Sequence, residues 1–331
     1  ARGFASLLVF RIGVGVGEAG CSPPAHSLIS DYFPAEKRGT ALGVYSMGIY
    51  VGVMIGFLAG GWINEFFGWR RAFVAVGVPG ALFSLVAFFL LKEPPRGLAD
   101  GVTGGDEATP RLVDVFRLLW SRRSFRHLSI GGALHAFVGY GAGGWLPPFF
   151  MRVHGMSSGE VGTWLGLMSG LLGGVGVFVG GWVADRWGVA DKRAYPWVCA
   201  ISLVAHAPLA IAAYLAGNPY VTLGLLVIPS ILSPVYNAPN FAMTQGLVPV
   251  RMRAAAAAVL LFILNLIGMG LGPFFVGWLS DALAPSVGVD SLRYALLTNI
   301  VFNVWGAVHY LLAAKTIREE LALAASGATS R

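Results

Sequence analysis

The chain has 331 residues, 56% apolar and 12% charged, with a mean hydropathy of +0.70, where a soluble domain carries roughly 25% charged residues. That balance leaves too little polar surface to face water and makes a bilayer the simplest solvent for the molecule. The net charge of +7 is scattered over short loops rather than gathered on one basic face, so nucleic acid is not an expected partner.

A helix needs about 20 mostly apolar residues to span the hydrocarbon core. Nine segments qualify: 5–30, 40–63, 71–91, 128–151, 160–184, 195–217, 219–247, 254–279 and 292–314. Runs such as Ala81 to Leu91 lack the apolar–polar alternation of a transmembrane barrel strand, which leaves an all-α integral membrane protein. Cys21 and Cys199 both fall in apolar stretches, a poor basis for a disulfide framework or a metal site. The chain opens on Ala1, close to an apolar run and with no signal-peptide n-region, so an N-terminal part is expected upstream.

The third and fourth segments are separated by residues 92–127. Glu93 to Pro110 is rich in Pro, Gly and Asp and reads as a flexible linker. A short amphipathic run follows, with Leu112, Phe116, Leu119 and Trp120 on one side and Arg117, Arg122 and Arg123 elsewhere, as expected of a helix lying on the inner membrane surface. The organisation is then 1–92, the last three helices of an N-terminal bundle; 93–127, a cytoplasmic linker; and 128–331, a six-helix bundle with a tail.

Lysine and arginine concentrate in cytoplasmic loops. With the C-terminal end of the first segment inside, 17 of the 23 Lys and Arg residues fall on the inner side. The described stretch therefore starts outside and ends with its C-terminus in the cytoplasm, in a cell (inner or plasma) membrane. An internal repeat supports the three-plus-six division. Pro34-Ala35-Glu36-Lys37-Arg38 after the first helix matches Pro249-Val250-Arg251-Met252-Arg253 after the seventh, and Gly60-Gly61-Trp62 matches Val276-Gly277-Trp278, as in transporters built from repeats.

Several of these residues resemble a known family. Arg11-Ile12-Gly13-Val14-Gly15-Val16-Gly17-Glu18-Ala19, Ser30-Asp31-Tyr32-Phe33-Pro34 and Arg38-Gly39-Thr40-Ala41 resemble the fourth helix and 4–5 loop of the major facilitator superfamily. Gly68-Trp69-Arg70-Arg71-Ala72-Phe73 looks like the entry to its sixth helix, and Gly181-Trp182-Val183-Ala184-Asp185-Arg186-Trp187-Gly188 resembles its 8–9 loop motif, here lengthened by Val189-Ala190-Asp191. Arg11 with Glu18 and the Gly-Trp-Arg turn is most similar to the Spinster-like subfamily. The resemblance implies a major facilitator-type bundle, with about nine transmembrane helices equivalent to helices 4–12 of twelve.

Glu18 is the one carboxylate near the middle of an expected span. A charge there is costly and faces a cavity or a partner, and burial disfavours the charged form of a carboxylate, which makes Glu18 a candidate proton-coupling site. Arg11 precedes it by seven residues, within about 20° of the same helix face and about 10.5 Å away along the axis. The two share a space without an ordinary direct pair. Ser22 and His26 continue the stripe. The repeat maps Arg11 to Leu226 and Glu18 to Ser233, so the architecture itself does not demand the charges.

The Gly139 to Pro148 stretch of the fourth segment reads as a hinge or outer gate. Pro229, Pro234 and Pro239 beside Ser233, Asn237 and Asn240 suggest a cavity wall in the seventh, since freed backbone is tolerated where protein or water satisfies it. The family resemblance implies Tyr140, Asn237 and Asn240 as cavity lining, and Asp185 and Arg186, with Arg38 and Arg253, as an inner gate. His26, His135, His206 and His309 read as hydrogen-bonded structural residues, with a proton relay as the alternative.

The expected function is secondary active transport of a small organic or amphipathic solute by alternating access, coupled to protons through Glu18 and Arg11. Spinster-like relatives suggest lysolipids, sphingolipid-like amphiphiles or organic anions. An uncoupled facilitator or a multidrug exporter is the near alternative, and a polytopic receptor or enzyme the remote one. No clustered nucleophile, base or metal set is visible, and no Gly-Lys-Ser/Thr phosphate loop. Gly13 to Glu18 lacks the preceding strand of a dinucleotide site. No cofactor is expected; the partners are the solute, protons and the lipid bilayer, and the full-length protein is expected to work as a monomer.

Overall fold

Inside a bilayer no water is available to backbone N–H and C=O groups, and a helix satisfies both within one segment. The computed structural model describes residues 3–19, 25, 28–29, 32–33, 35–91 and 110–326, with the side chains of 18, 19, 35–40, 42, 43, 46 and 250 outside that description. Among the described residues all regular structure is helical. We number the helices α1 (Phe4–Ala19), α2 (Ala35–Phe67), α3 (Trp69–Leu90), α4 (Leu112–Ser121), α5 (Arg123–Val153), α6 (Ser158–Gly188), α7 (Ala194–Leu215), α8 (Pro219–Gly246), α9 (253–287), α10 (291–314) and α11 (Ile317–Ala325).

Six helical runs are long and apolar enough to cross a membrane: Met47–Phe67, Trp69–Leu90, Ser158–Gly188, Ala194–Leu215, Pro219–Gly246 and Arg253–Ala314. The last comprises α9 and α10, turned at Gly288, whose φ of 60° suits a residue without a Cβ. The remaining expected segments fall on α1, a shorter apolar helix in its described part, and on α5, which is helical over 31 residues.

Contacts divide the chain into two compact units, Ala1–Ile49 with Gly77–Ala108 and Tyr50–Val76 with Thr109–Arg331. In the first unit, α1 carries Phe4, Phe10 and Val16 exposed. The second unit takes in the C-terminal half of α2 and the start of α3, where α2 crosses α6 at backbone distance. A Cβ added to Gly162 would fall 2.4 Å from the Phe57 carbonyl oxygen and 2.9 Å from the Gly61 Cα, the small-residue approach that membrane helices use. Beside that crossing the Trp62 indole N–H donates to the Thr163 hydroxyl at 2.9 Å, and the Glu65 carboxylate accepts from the Gly159 N–H.

The core of the second unit lies at two levels along α5. Phe125 and Leu128 pack with Leu203, Leu260, Tyr310 and Ile317 near its start, while Phe149 and Phe150 pack with Leu165, Tyr214 and Leu296 near its end. The short helix α4 is amphipathic, but its apolar residues do not act as one stripe. Val115 and Leu119 are buried in the bundle, whereas Leu112, Phe116 and Trp120 are exposed, with the last two rings stacked at 5.5 Å. Positions four apart share a face, so 112, 116 and 120 form one strip and 115 and 119 its neighbour.

The last helix closes an end of α5. Glu320 of α11 accepts from the backbone N–H of Arg123 at 2.8 Å and of Ser124 at 3.1 Å, and from the Ser124 hydroxyl. It therefore caps donors that have no partner in the first turn of a helix, where negative charge is favoured. Replacing Glu320 by Ala should cost about 1 kcal/mol, read as a lower thermal unfolding temperature in detergent, with Glu320→Gln losing less. Unfolding of Glu320→Ala at the unmodified temperature would contradict the cap.

Candidate functional site

Three helices of the second unit change helix type inside their spans, and a fourth, α10, is interrupted by a turn at Ile300. In α8, Pro234 has no N–H to give, and residues Ser233–Tyr236 tighten into a 3-10 turn in which the Asn237 N–H bonds the Pro234 carbonyl. The Ser233 carbonyl thereby loses its α-helical donor, the Asn237 N–H, and keeps only the tighter i+3 geometry of the turn. In α6 the residues Met168–Leu172, and in α9 the residues Asn265–Met269, widen into π turns, a distortion frequent at functional sites.

Irregular backbone at membrane depth is tolerated where it lines a cavity or is buried in protein. A cavity of about 240 Å³ lies against the breaks in α6 and α8. Its wall combines Leu146, Leu165, Met168 and Leu226 with Tyr50, Ser169, His206, Ser230 and Ser233, and with the open positions Gly139 and Gly143. The surface is mixed, apolar with a few hydroxyls and one imidazole, and suits an amphipathic solute.

Behind the wall runs a buried polar chain. His135 Nδ1 lies 2.7 Å from Asn303 Oδ1, Asn303 Nδ2 lies 2.9 Å from His206 Nδ1, and His135 Nε2 lies 2.7 Å from the Ser233 carbonyl oxygen. A second imidazole pair, His127 and His309, meets Nδ1 to Nδ1 at 3.0 Å. Of the histidines read one at a time from the sequence, His135 and His206 are thus joined through Asn303, and His309 pairs with His127. Asn303, a fully buried amide in an otherwise apolar run, was the overlooked member, and an amide in the middle of a span is the signal that points to it.

The sequence-derived candidates are placed as follows. Arg11 and Glu18 stand on the unbroken helix α1; Arg11 is exposed, and the Glu18 side chain lies outside the described residues. Ser22 and His26 also lie outside them, as does the side chain of Arg38. Tyr140 is half-exposed and donates from its hydroxyl to Asn265 Oδ1 at 3.1 Å, at the π turn of α9. Asn240 is fully buried beside Gly132, Leu264 and Tyr310, away from the cavity, and among the described residues neither of its amide atoms has a partner. Asn237 is half-buried. The 3-10 turn rotates the helix that follows it, so the wall is made by Pro229, Ser230, Ser233 and Pro234 instead of the two asparagines. The Gly139 to Pro148 stretch is continuous helix. Its glycines divide between open positions on the cavity and close seats for α9, and the Trp145 N–H ties the helix to the Pro273 carbonyl at 2.8 Å.

Asp185, Arg186 and Arg253 are exposed, and among the described residues none of the three is ion-paired. Asp185 accepts from the Tyr195 hydroxyl at 2.8 Å. In the lengthened loop Asp191 accepts from the Arg193 backbone and pairs with its guanidinium at 2.7 Å. Those bonds from Arg193 hold the Asp191 carboxyl below the usual carboxylate range.

Residues 2–273 match the Major Facilitator Superfamily. An MFS-type efflux pump of Mycolicibacterium smegmatis is 32% identical over 320 residues, covering 95% of this chain and 72% of that protein. Protein spinster homolog 3 of Danio rerio is 28% identical, covering 95% of this chain and 67% of its own length. Protein spinster homolog 1 of Mus musculus is 30% identical over 299 residues, covering 85% of this chain and 56% of its own length. A crystal structure of a bacterial homolog to the human lysosomal transporter Spinster, inward-facing and unoccupied, superposes with a TM-score of 0.83 at 32% identity, covering 97% of this chain and 80% of that one.

The two kinds of glycine in α5 separate by substitution. A Cβ at Gly141 would lie 2.9 Å from Asn299 Nδ2 and 3.2 Å from the Gly272 carbonyl oxygen, whereas one at Gly143 meets nothing within 4 Å. Gly141→Leu should destabilise by about 1–3 kcal/mol and Gly143→Leu should leave thermal unfolding unchanged. Equal losses would contradict the assignment of Gly143 to the cavity.

Proposed function

We propose that this chain, which belongs to the Major Facilitator Superfamily and is Spinster-like within it, moves a small organic or amphipathic solute across the membrane by alternating access. The observation that carries the reading is the cavity at the helix breaks, with its apolar wall and its few hydroxyls. Solute held there meets backbone freed from the helical ladder, the setting in which transporters place substrate near the bilayer midplane.

Proton coupling runs through Glu18 with Arg11. What supports it is their spacing on one uninterrupted helix in an otherwise apolar segment. A proton on Glu18 removes a charge that the hydrocarbon disfavours, and Arg11 sets that charge or grips an anionic solute. With the basic loops inside and the C-terminus cytoplasmic, the α2–α6 crossing at Gly61, Trp62 and Glu65 lies toward the outer face. Outward opening then has to part those contacts. The likeness to the mycobacterial efflux pump supports export as the direction of movement.

Glu18→Gln in the full-length protein, reconstituted in liposomes, should abolish accumulation of a fluorescent lysolipid driven by a pH gradient while leaving insertion and counterflow intact. Unchanged pH dependence would remove Glu18 from the coupling role.

A further inference from the structure

Through His206 the cavity reaches a buried chain that Glu18 and Arg11 leave unused. His135 of α5 and His206 of α7 flank the amide of Asn303 on α10, and His135 Nε2 faces the Ser233 carbonyl, whose α-helical donor, the Asn237 N–H, has turned to Pro234. A carbonyl oxygen only accepts, so Nε2 carries a proton, and the Ser233 hydroxyl, 3.2 Å from the same nitrogen, accepts from it as well. Nδ1 faces the Asn303 oxygen, which also only accepts. In this arrangement both nitrogens donate and His135 is an imidazolium, while the Asn303 amide donates to His206, a neutral ring with its proton on Nε2.

Turning the Asn303 amide over gives a second complete arrangement. Its nitrogen then donates to His135 Nδ1, His206 donates from Nδ1 to the Asn303 oxygen, and both rings are neutral. Every hydrogen bond of the chain is kept in both arrangements, and they differ by one proton.

We infer that His135, Asn303 and His206 form a one-proton binding site in the second unit, loaded from the cavity through His206 and held in its charged state by the Ser233 carbonyl at the break in α8. The groups that face it are few. His206 and Cys199 come from α7, and the Tyr236 ring of α8 stands 4.6 Å from His135. Tyr140 of α5 and Tyr50 of α2 act on Tyr236, and Tyr310 of α10 faces Cys199 and Tyr236. Among the described residues no carboxylate, lysine or arginine acts on either imidazole. The loaded proton therefore has no fixed counter-ion among them, and its charge favours a hydrated cavity, since burying an unpaired charge is costly. The role of the site in coupling rests on the transport reading; its existence does not.

The test is 15N NMR of histidine-labelled full-length protein in lipid bilayers, titrated from about pH 8 to about pH 4, with His135→Gln and His206→Gln used to assign signals. One step is expected, in which His135 gains its second proton while the His206 proton moves from Nδ1 to Nε2. A His135 ring that keeps one protonated nitrogen throughout, or a His206 tautomer that never changes, would overturn the inference. Asn303→Asp, which places a carboxylate between the rings, should raise the midpoint by about one pH unit or more; an unmoved midpoint would also overturn it. A protein that shows the step and yet moves no solute would refute the transport reading and leave the site standing.

Discussion

The structure is governed by the cost of an unsatisfied backbone group in hydrocarbon. Each regular helix meets that cost within itself, and each departure from regularity has to be met by something else. In the second unit the departures fall where that can happen: Ser233–Tyr236 and Met168–Leu172 on the cavity, and Asn265–Met269 beside the Tyr140 hydroxyl. The His135 ring shows the compensation most plainly, because it bonds the Ser233 carbonyl that has lost its α-helical donor. Position of the breaks, polarity of the cavity and placement of the buried imidazoles follow from one constraint.

The same constraint explains how the helices are tied at their ends, where the ladder runs out. Glu320 closes the start of α5, Glu65 reaches the first turn of α6, and the Ser157 side chain with Glu160 forms a capping box on that same turn. Between the ends, glycine faces let backbones approach, as at Gly61 and Gly162. Rigid contacts at the ends and loose polar geometry in the middle form a scaffold suited to the proposed movement of a solute.

Much of the fold was legible because hydrophobicity over about 20 residues is a strong signal, and each of the nine apolar segments falls on a helix among the described residues. The site was less legible, for reasons tied to particular residues. Pro229 and Pro234 announced a break in α8, but the change of turn type after Ser233 decides which side chains face the cavity, and no composition rule carries that phase shift. This is why Asn240 was expected on the wall and lies in the core. The π turns of α6 and α9 have no proline to mark them. His135 and His206 were visible singly, but their link depends on Asn303 almost a hundred residues beyond His206, and such a contact exists only after folding. Tyr50, in the middle of α2, reaches the cavity wall for the same reason.

The central claim, that the helix breaks stand on a wet cavity within the span, is tested most directly by thiol chemistry. Ser169→Cys and Ser230→Cys, each in bilayer-embedded protein without its native cysteines, should react with a charged, membrane-impermeant methanethiosulfonate, while Phe178→Cys on the exposed apolar flank of α6 should not. Protection of Cys at both 169 and 230 to the level of Cys at 178 would contradict the account.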